Sequence, residues 1–348
     1  MKIVIATDAW DPQTNGVVTT LKTTVHVLQS MGHEVKLITP TPFKTVPLPS
    51  YPSIRLAILP GKKITKELDV FSPDAIHIAT EGPIGLSVRK YCLKHRLKFT
   101  TSYHTQFPEY LRLRAPVPLG LSYALLKWFH NPAVRTMVPT PSMRERLLKQ
   151  GFNNIAVWGR GVDVELFTPA TNKSKSQSHR RPVFLYTGRV AIEKNIEAFL
   201  SLNLPGTKMV IGDGPDLDML KRKYPLVKYT GFRYGQELAQ LIADADVFVF
   251  PSLTDTFGLV MLEAMSCGLP VAAFPVTGPM DVIINGVTGV LDNNLESAAL
   301  RALEINPNNP REYALNHSWK KCTADFLKHL APNSLTDQPG RIPVAGRR

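Results

Sequence analysis

A chain of 348 residues with 44% apolar side chains can bury two cores of ordinary size and is too apolar to be disordered as a whole. No apolar run reaches the roughly 18 residues of a membrane span; Cys92, Cys267 and Cys322, odd in number and far apart, speak against a disulfide framework, show no metal-ligand spacing and fit a reducing cytosol. Of the net +13, residues 1–168 hold 21 Lys and Arg against 11 Asp and Glu, a net +10, which suits an anionic partner (phospholipid surface, nucleic acid or acidic substrate) or solubility alone.

The opening Met1 to Ala6 is too short for a secretory core, and Lys2–Ala6 reads as a first strand. Val35–Ile38, Ala75–Ile78 and Phe99–Tyr103 follow as strands. Val183–Thr187, Lys208–Ile211, Val227–Thr230, Val247–Phe250 and Val271–Phe274 form a second series. Continuous apolar strands alternating with helical patterns predict parallel sheets covered on both faces, hence an α/β protein of two doubly wound domains. The expected boundaries are a first domain at 1–168, a polar and basic linker at 169–181 and a second domain at 182–310. A helical segment at 311–330, anchored by Tyr313, Trp319 and Phe326, would cross back to the first domain, and 331–348 would be a disordered tail rich in Pro, Gly and Arg.

Ligands of open parallel sheets bind outside the carboxyl ends of strands, so the residues just past each strand are the candidates. Gly16, after the first strand, is a turn glycine or lets backbone approach a phosphate at a helix N-terminus. His104 follows Phe99–Tyr103 and can contact a substrate hydroxyl, act as a base or serve the structure alone. Arg189 and Lys194, five residues apart at a glycine turn, can converge on a diphosphate and stabilise it as a leaving group.

The sharpest segment runs from Pro251 to Pro270. It reads as a helix with Asp255 at its start and Glu263 two turns inside, their carboxylates about 10 Å apart along the axis. That separation suits a ligand with hydroxyls at both ends and phosphates between. Asp255 would meet a sugar hydroxyl, or cap the helix. Glu263 would meet ribose hydroxyls, or face solvent. Backbone N–H groups near Phe257, Gly258 and Leu259 would face the diphosphate. Gly212, in a tight turn, and Phe232 complete the donor-binding set. Asp244-Ala245-Asp246 has the spacing of a metal motif but leads into a strand and reads as a turn. Tyr110 to Phe129 mixes Arg112, Arg114 and Lys127 with Trp128 and leucines, a pattern for docking at a membrane interface or for packing within the protein.

At these residues the chain resembles glycosyltransferase family 4, the retaining GT-B enzymes, over nearly its whole length. Val249 to Pro270 is similar to that family's E-x7-E segment, and Gly188-Arg189 with Glu193-Lys194 to its G-R-x-x-x-E-K. Asp255 stands where the family has its first glutamate. Ser102 to Tyr110, Thr254 to Val260 and Pro275 to Pro279 resemble a subgroup of GDP-mannose-dependent α-mannosyltransferases and diacylglycerol glycosyltransferases. The resemblance implies two Rossmann-like domains facing a cleft. A hexose, mannose or glucose-type, would pass from a nucleotide-diphosphate sugar to a hydroxyl of a membrane glycolipid or lipid-linked acceptor. Arg189 and Lys194 would lie on the diphosphate, Glu263 on the ribose and Asp255 on the sugar. No cofactor and no metal would be required. The expected partners are the nucleotide sugar, a lipid or glycan acceptor and an anionic membrane surface, with no nucleic acid and no obligate protein partner. The expected location is the cytoplasm, open to peripheral attachment on the inner face of the plasma membrane. A sugar-nucleotide epimerase or hydrolase on the same scaffold is the alternative reaction.

Overall fold

A computed structural model describes residues 1–13, 15–48, 51–112, 118–170 and 182–333. Arg114, most of the expected linker and the tail beyond 333 lie outside the described residues.

Among the described residues fourteen strands fall into two parallel sheets and one hairpin. The first half contributes β1 (Lys2–Ala6), β2 (Glu34–Ile38), β3 (Thr45–Leu48), β4 (Tyr51–Ala57), β5 (Ala75–Ile78), β6 (Thr100–Ser102), β7 (Arg135–Val138) and β8 (Ile155–Val157). The second contributes β9 (Val183–Thr187), β10 (Thr207–Ile211), β11 (Lys228–Gly231), β12 (Val247–Phe250), β13 (Val271–Ala273) and β14 (Gly289–Leu291). The first sheet is ordered β2-β1-β5-β6-β7-β8, the second β11-β10-β9-β12-β13-β14, and β3 pairs only with β4, antiparallel. The second order is the doubly wound arrangement, three strands on one side of β9–β12 and three on the other.

Alternation along the strands explains why both faces must be covered. Phe184, Tyr186, Val247 and Val249 point into one core, Leu185, Phe248 and Phe250 into another on the opposite face. Phe184, Leu185 and Phe248 are wholly buried, worth roughly 1.5–3 kcal/mol each in apolar burial.

The hairpin, β7, β8 and β14 are absent from the sequence reading. β8 and β14 are three residues long, too short to stand out from their flanks as an apolar run. The segment expected at 311–330 is two helices, Asn308–Leu315 and Trp319–His329. Ser318 separates them: its hydroxyl accepts from the Lys321 N–H at 3.3 Å, so the chain restarts a helix there. The second of these packs on the first domain. Cys322, Phe326 and Leu330 share a core with Ile3, Ile5, Leu21, Leu28 and Trp158. Asn333 then bonds in both directions with the Lys98 backbone, at 2.7 and 3.1 Å.

Candidate active site

In the second sheet strand order reverses between β9 and β12, the place where such sheets bind ligands. The loops leaving these two strands are tied together. Ser252 and Thr254 donate to the Glu193 carbonyl at 3.4 and 3.2 Å, and Asn195 Nδ2 donates to the Pro251 carbonyl at 3.0 Å. Lys194 Nζ donates to Asp255 Oδ1 at 2.6 Å, with both side chains mostly covered. Arg189 is half-buried on the same loop as Lys194. The turn after β10 lies directly alongside: Gly212 has φ +149°, and a Cβ there would sit 1.8 Å from the Gly188 carbonyl oxygen. Only glycine lets these two strand ends touch.

The helix that carries Glu263 spans Leu259–Ser266, so Asp255 lies in the preceding loop and not at the helix start. Gly258, at φ +82°, stops the helix from beginning earlier, and a Cβ there would meet the Phe250 ring at 2.8 Å. The axial separation of about 10 Å expected for the two carboxylates therefore does not apply, because they do not share an axis. Phe257 is buried beneath this turn. Glu263 stands one turn inside the helix and is half-buried. Burial pushes its carboxyl up to about 7, and no hydrogen-bond donor or cation among the described residues offsets that.

The first domain closes against this edge. Gly16 opens the helix Gly16–Ser30, whose first amides donate to Asn15 Oδ1. A Cβ on Gly16 would lie 3.3 Å from Leu259 Cδ1, so the two helix starts face one another. Thr256 Oγ1 donates to the His104 carbonyl at 2.6 Å and Gln106 Nε2 reaches the Asp255 carbonyl at 3.5 Å. Gln106 is held by Arg146, whose Nη1 donates to its Oε1 at 2.8 Å.

Two buried polar atoms on the loops where the domains meet lack a hydrogen-bond partner among the described residues: His104 Nε2 and Asp255 Oδ2. His104 Nδ1 faces Arg160 Nη2 at 3.0 Å. A guanidinium can only donate, so Nδ1 is the acceptor and Nε2 carries the proton. Burial, then Arg160, His77 and His130, hold the His104 ring well below the usual imidazole range, so it is neutral. The first domain thus brings an unanswered donor, and the second an unanswered acceptor, to the loops where they meet.

The remaining candidates do not join this cluster. Phe232 follows β11 at the sheet edge, exposed and stacked on Tyr234 with ring centroids 6.2 Å apart. Lys127 and Trp128 lie on the helix Leu119–His130. There Leu121, Leu125 and Trp128 form an exposed stripe at helical spacing. Arg89 stacks over the Trp128 ring at 4.0 Å and lines a surface pocket with Lys127 and Trp128. Arg112 is exposed at the end of the short helix Phe107–Arg112. Asp246 accepts from the Val183 amide at 2.8 Å, a strand-pinning role.

Sequence reasoning missed Arg160, Gln106 and Thr256. Arg160 was within reach of the carboxyl-edge rule, but it follows a three-residue strand that was not recognised.

Residues 14–166 match the family model described as Glycosyltransferase Family 4, and residues 181–305 the one described as Glycosyl transferases group 1. The chain is 33% identical to a sulfoquinovosyl transferase of Arabidopsis thaliana, over 77% of the chain but 59% of that protein. It is 29% identical to a GDP-mannose-dependent alpha-mannosyltransferase of Mycobacterium tuberculosis, over 84% of the chain and 83% of that protein. With an alpha-monoglucosyldiacylglycerol synthase of Acholeplasma laidlawii it shares 25% identity over 96% and 95%. Among solved structures, a sucrose-phosphate synthase from Thermosynechococcus elongatus superposes with a TM-score of 0.74 at 21% identity, covering 94% of this chain and 97% of that one, a likeness of fold. With each half matched in turn and both sheets of the paired Rossmann-like kind, the chain belongs to glycosyltransferase family 4 and is a hexosyltransferase of the GT-B fold.

Proposed function

We propose that this enzyme takes a mannose or glucose-type sugar from a nucleotide-diphosphate donor held on its second domain and delivers it, with retention, to a hydroxyl of a membrane glycolipid or lipid-linked acceptor. The observation that carries this reading is the pair of unanswered groups on the two loops that meet between the domains, His104 Nε2–H and Asp255 Oδ2. A hydroxyl both donates and accepts, so a sugar ring presents what each of them needs. Arg189 and Lys194, on one loop at the switch point of the second sheet, would hold the diphosphate, and Phe232 with Tyr234 would offer a stacked face to the nucleobase. The likeness to a GDP-mannose-dependent enzyme and to a diacylglycerol glycolipid synthase supports the donor and acceptor classes.

The bond from the anomeric carbon to the phosphate oxygen opens first, and charge gathers on the diphosphate beside Lys194 and Arg189. The acceptor hydroxyl attacks from the same face, and its proton passes to the departing phosphate oxygen. His104, neutral and with its proton on Nε2, serves as a hydrogen-bond donor and not as the base. Two fixed cations do the work of a divalent ion. Activity is therefore expected to survive a chelator, whereas loss in EDTA that magnesium restores would reject the metal-free scheme. A panel of nucleotide sugars scored by thermal protection identifies the donor. Turnover of that donor without any acceptor would instead mark an epimerase or hydrolase.

The Leu121, Leu125 and Trp128 stripe, with Arg89 and Lys127 beside Trp128, supports peripheral attachment to an anionic bilayer. Binding to vesicles containing phosphatidylglycerol should exceed binding to phosphatidylcholine alone and weaken as salt is raised. Equal or absent binding would point to a soluble acceptor.

A further inference from the structure

Arg160 is 7% exposed and sits just past β8 on the first sheet's carboxyl edge. Its guanidinium pairs with no carboxylate among the described residues. Nη1 donates to the carbonyls of Trp158 and Gly159 at 2.7 and 2.9 Å, the group lies 4.6 Å from the Trp158 ring centroid, and Nη2 donates to His104 Nδ1 at 3.0 Å. Burial lowers the guanidinium to about 10, so it remains charged at neutral pH. A buried cation without an acid partner is costly, and for packing alone an apolar side chain would serve better. The loop that carries it is braced from behind by the C-terminal helix: Trp158 Nε1 donates to the Cys322 carbonyl at 3.1 Å and Cys322 Sγ to the Gly159 carbonyl at 3.3 Å.

We infer that Arg160 is a positioning residue, fixing His104 as the Nε2–H tautomer so that the ring donates to the sugar being transferred. Arginine cannot accept a hydrogen bond, so a proton on Nδ1 would face the guanidinium and lose its only partner. The adjacent positive charge also polarises the ring and strengthens Nε2–H as a donor, with no reorganisation left for the moment of reaction. A second protonation of the ring is opposed by Arg160 and by the neighbouring His77 and His130. The inference rests on the reading that His104 meets the sugar.

The test is the nitrogen spectrum of full-length protein labelled with 15N-histidine, His104 being assigned by its loss in His104→Asn. From about pH 6 to about pH 8 the wild-type ring should carry one proton, on Nε2, without titrating. In Arg160→Met the ring should populate the other tautomer or begin to titrate. The kcat should fall about 100-fold with donor KM within about threefold of wild type, since the lost interaction belongs to the transition state. Arg160→Lys, which keeps a cationic donor, should retain the wild-type tautomer. In a His104→Asn background Arg160→Met should cost less than about threefold more, because the two act as one unit. A wild-type proton on Nδ1, or an unchanged tautomer in Arg160→Met, overturns the inference. Should Arg160→Met not fold, the wild-type and Arg160→Lys spectra decide. If His104→Asn leaves kcat unchanged, the sugar contact itself is wrong, and the tautomer result shows that separately.

Discussion

Lys194→Ala is expected to lower kcat/KM by a factor of about 100 or more, roughly 3 kcal/mol of transition-state stabilisation. The side chain bridges the loops after β9 and β12, where its Nζ donates to Asp255 Oδ1 at 2.6 Å. Removing it does two separable things. In the proposed donor site the diphosphate would lose a cation where charge gathers as the sugar departs. The Asp255 carboxylate, 14% exposed at its side chain, loses an ion-pair partner and becomes a largely buried charge. The double variant Lys194→Ala with Asp255→Asn separates these effects. Neutralising the carboxylate should restore most of the lost thermal stability and none of the lost activity. Steady-state kinetics with the identified donor checks the first, and thermal unfolding without ligand checks the second. Near-normal kcat/KM in Lys194→Ala would remove the diphosphate from this loop.

The sheets were legible because their strands are unbroken apolar runs: Lys2–Ala6, Val183–Thr187 and Val247–Phe250 appear in the structure with the bounds read from sequence. β8 and β14, only three residues each, carry no period of their own and are set by pairing with β7 and β13 at the ends of the two sheets. The site divides in the same way. Which side chains follow which strand was readable, so His104, Lys194 and Asp255 could be named. Where the helix after β12 starts was misread, since Gly258 looked like one more residue of a continuous pattern. Its backbone lies at φ +82°, set by the approach of Phe250 and Met261, which local sequence does not display. Contacts between the halves were beyond reach for a related reason. Thr256 and His104 are 152 positions apart, and Arg160 and His104 are 56 apart. Packing of one domain's sheet edge against the other brings the first pair together, and the β6-β7-β8 order of the first sheet the second.

Glu263→Gln is expected to make the protein more stable and the enzyme worse, with opposite dependence on pH. Burial raises the Glu263 carboxyl from 4.5 to about 7. Between those values the folded state holds a proton that the unfolded state has released, so stability falls as pH rises through the window. Above about pH 7 the full penalty, about 3 kcal/mol for a shift of this size, is present. Glutamine cannot ionise, so the variant should unfold at higher temperature than wild type near pH 8 and at about the same temperature near pH 4.5. Activity should move the other way. In the proposed donor site ribose hydroxyls would donate to the carboxylate, so donor binding should favour the ionised form and draw the proton off. Nucleotide affinity of the wild type should therefore weaken about tenfold per pH unit below about pH 7 and level off above it. In the variant that slope should vanish, and kcat/KM near pH 8 should be lower by about 100-fold, the worth of one or two hydrogen bonds to a charged acceptor. Calorimetric titration of nucleoside diphosphate across this range measures the slope, and thermal melts measure the stability. A wild-type affinity independent of pH, together with a variant no more stable at pH 8, would mean that Glu263 is neither strained in the free enzyme nor a ligand of the donor.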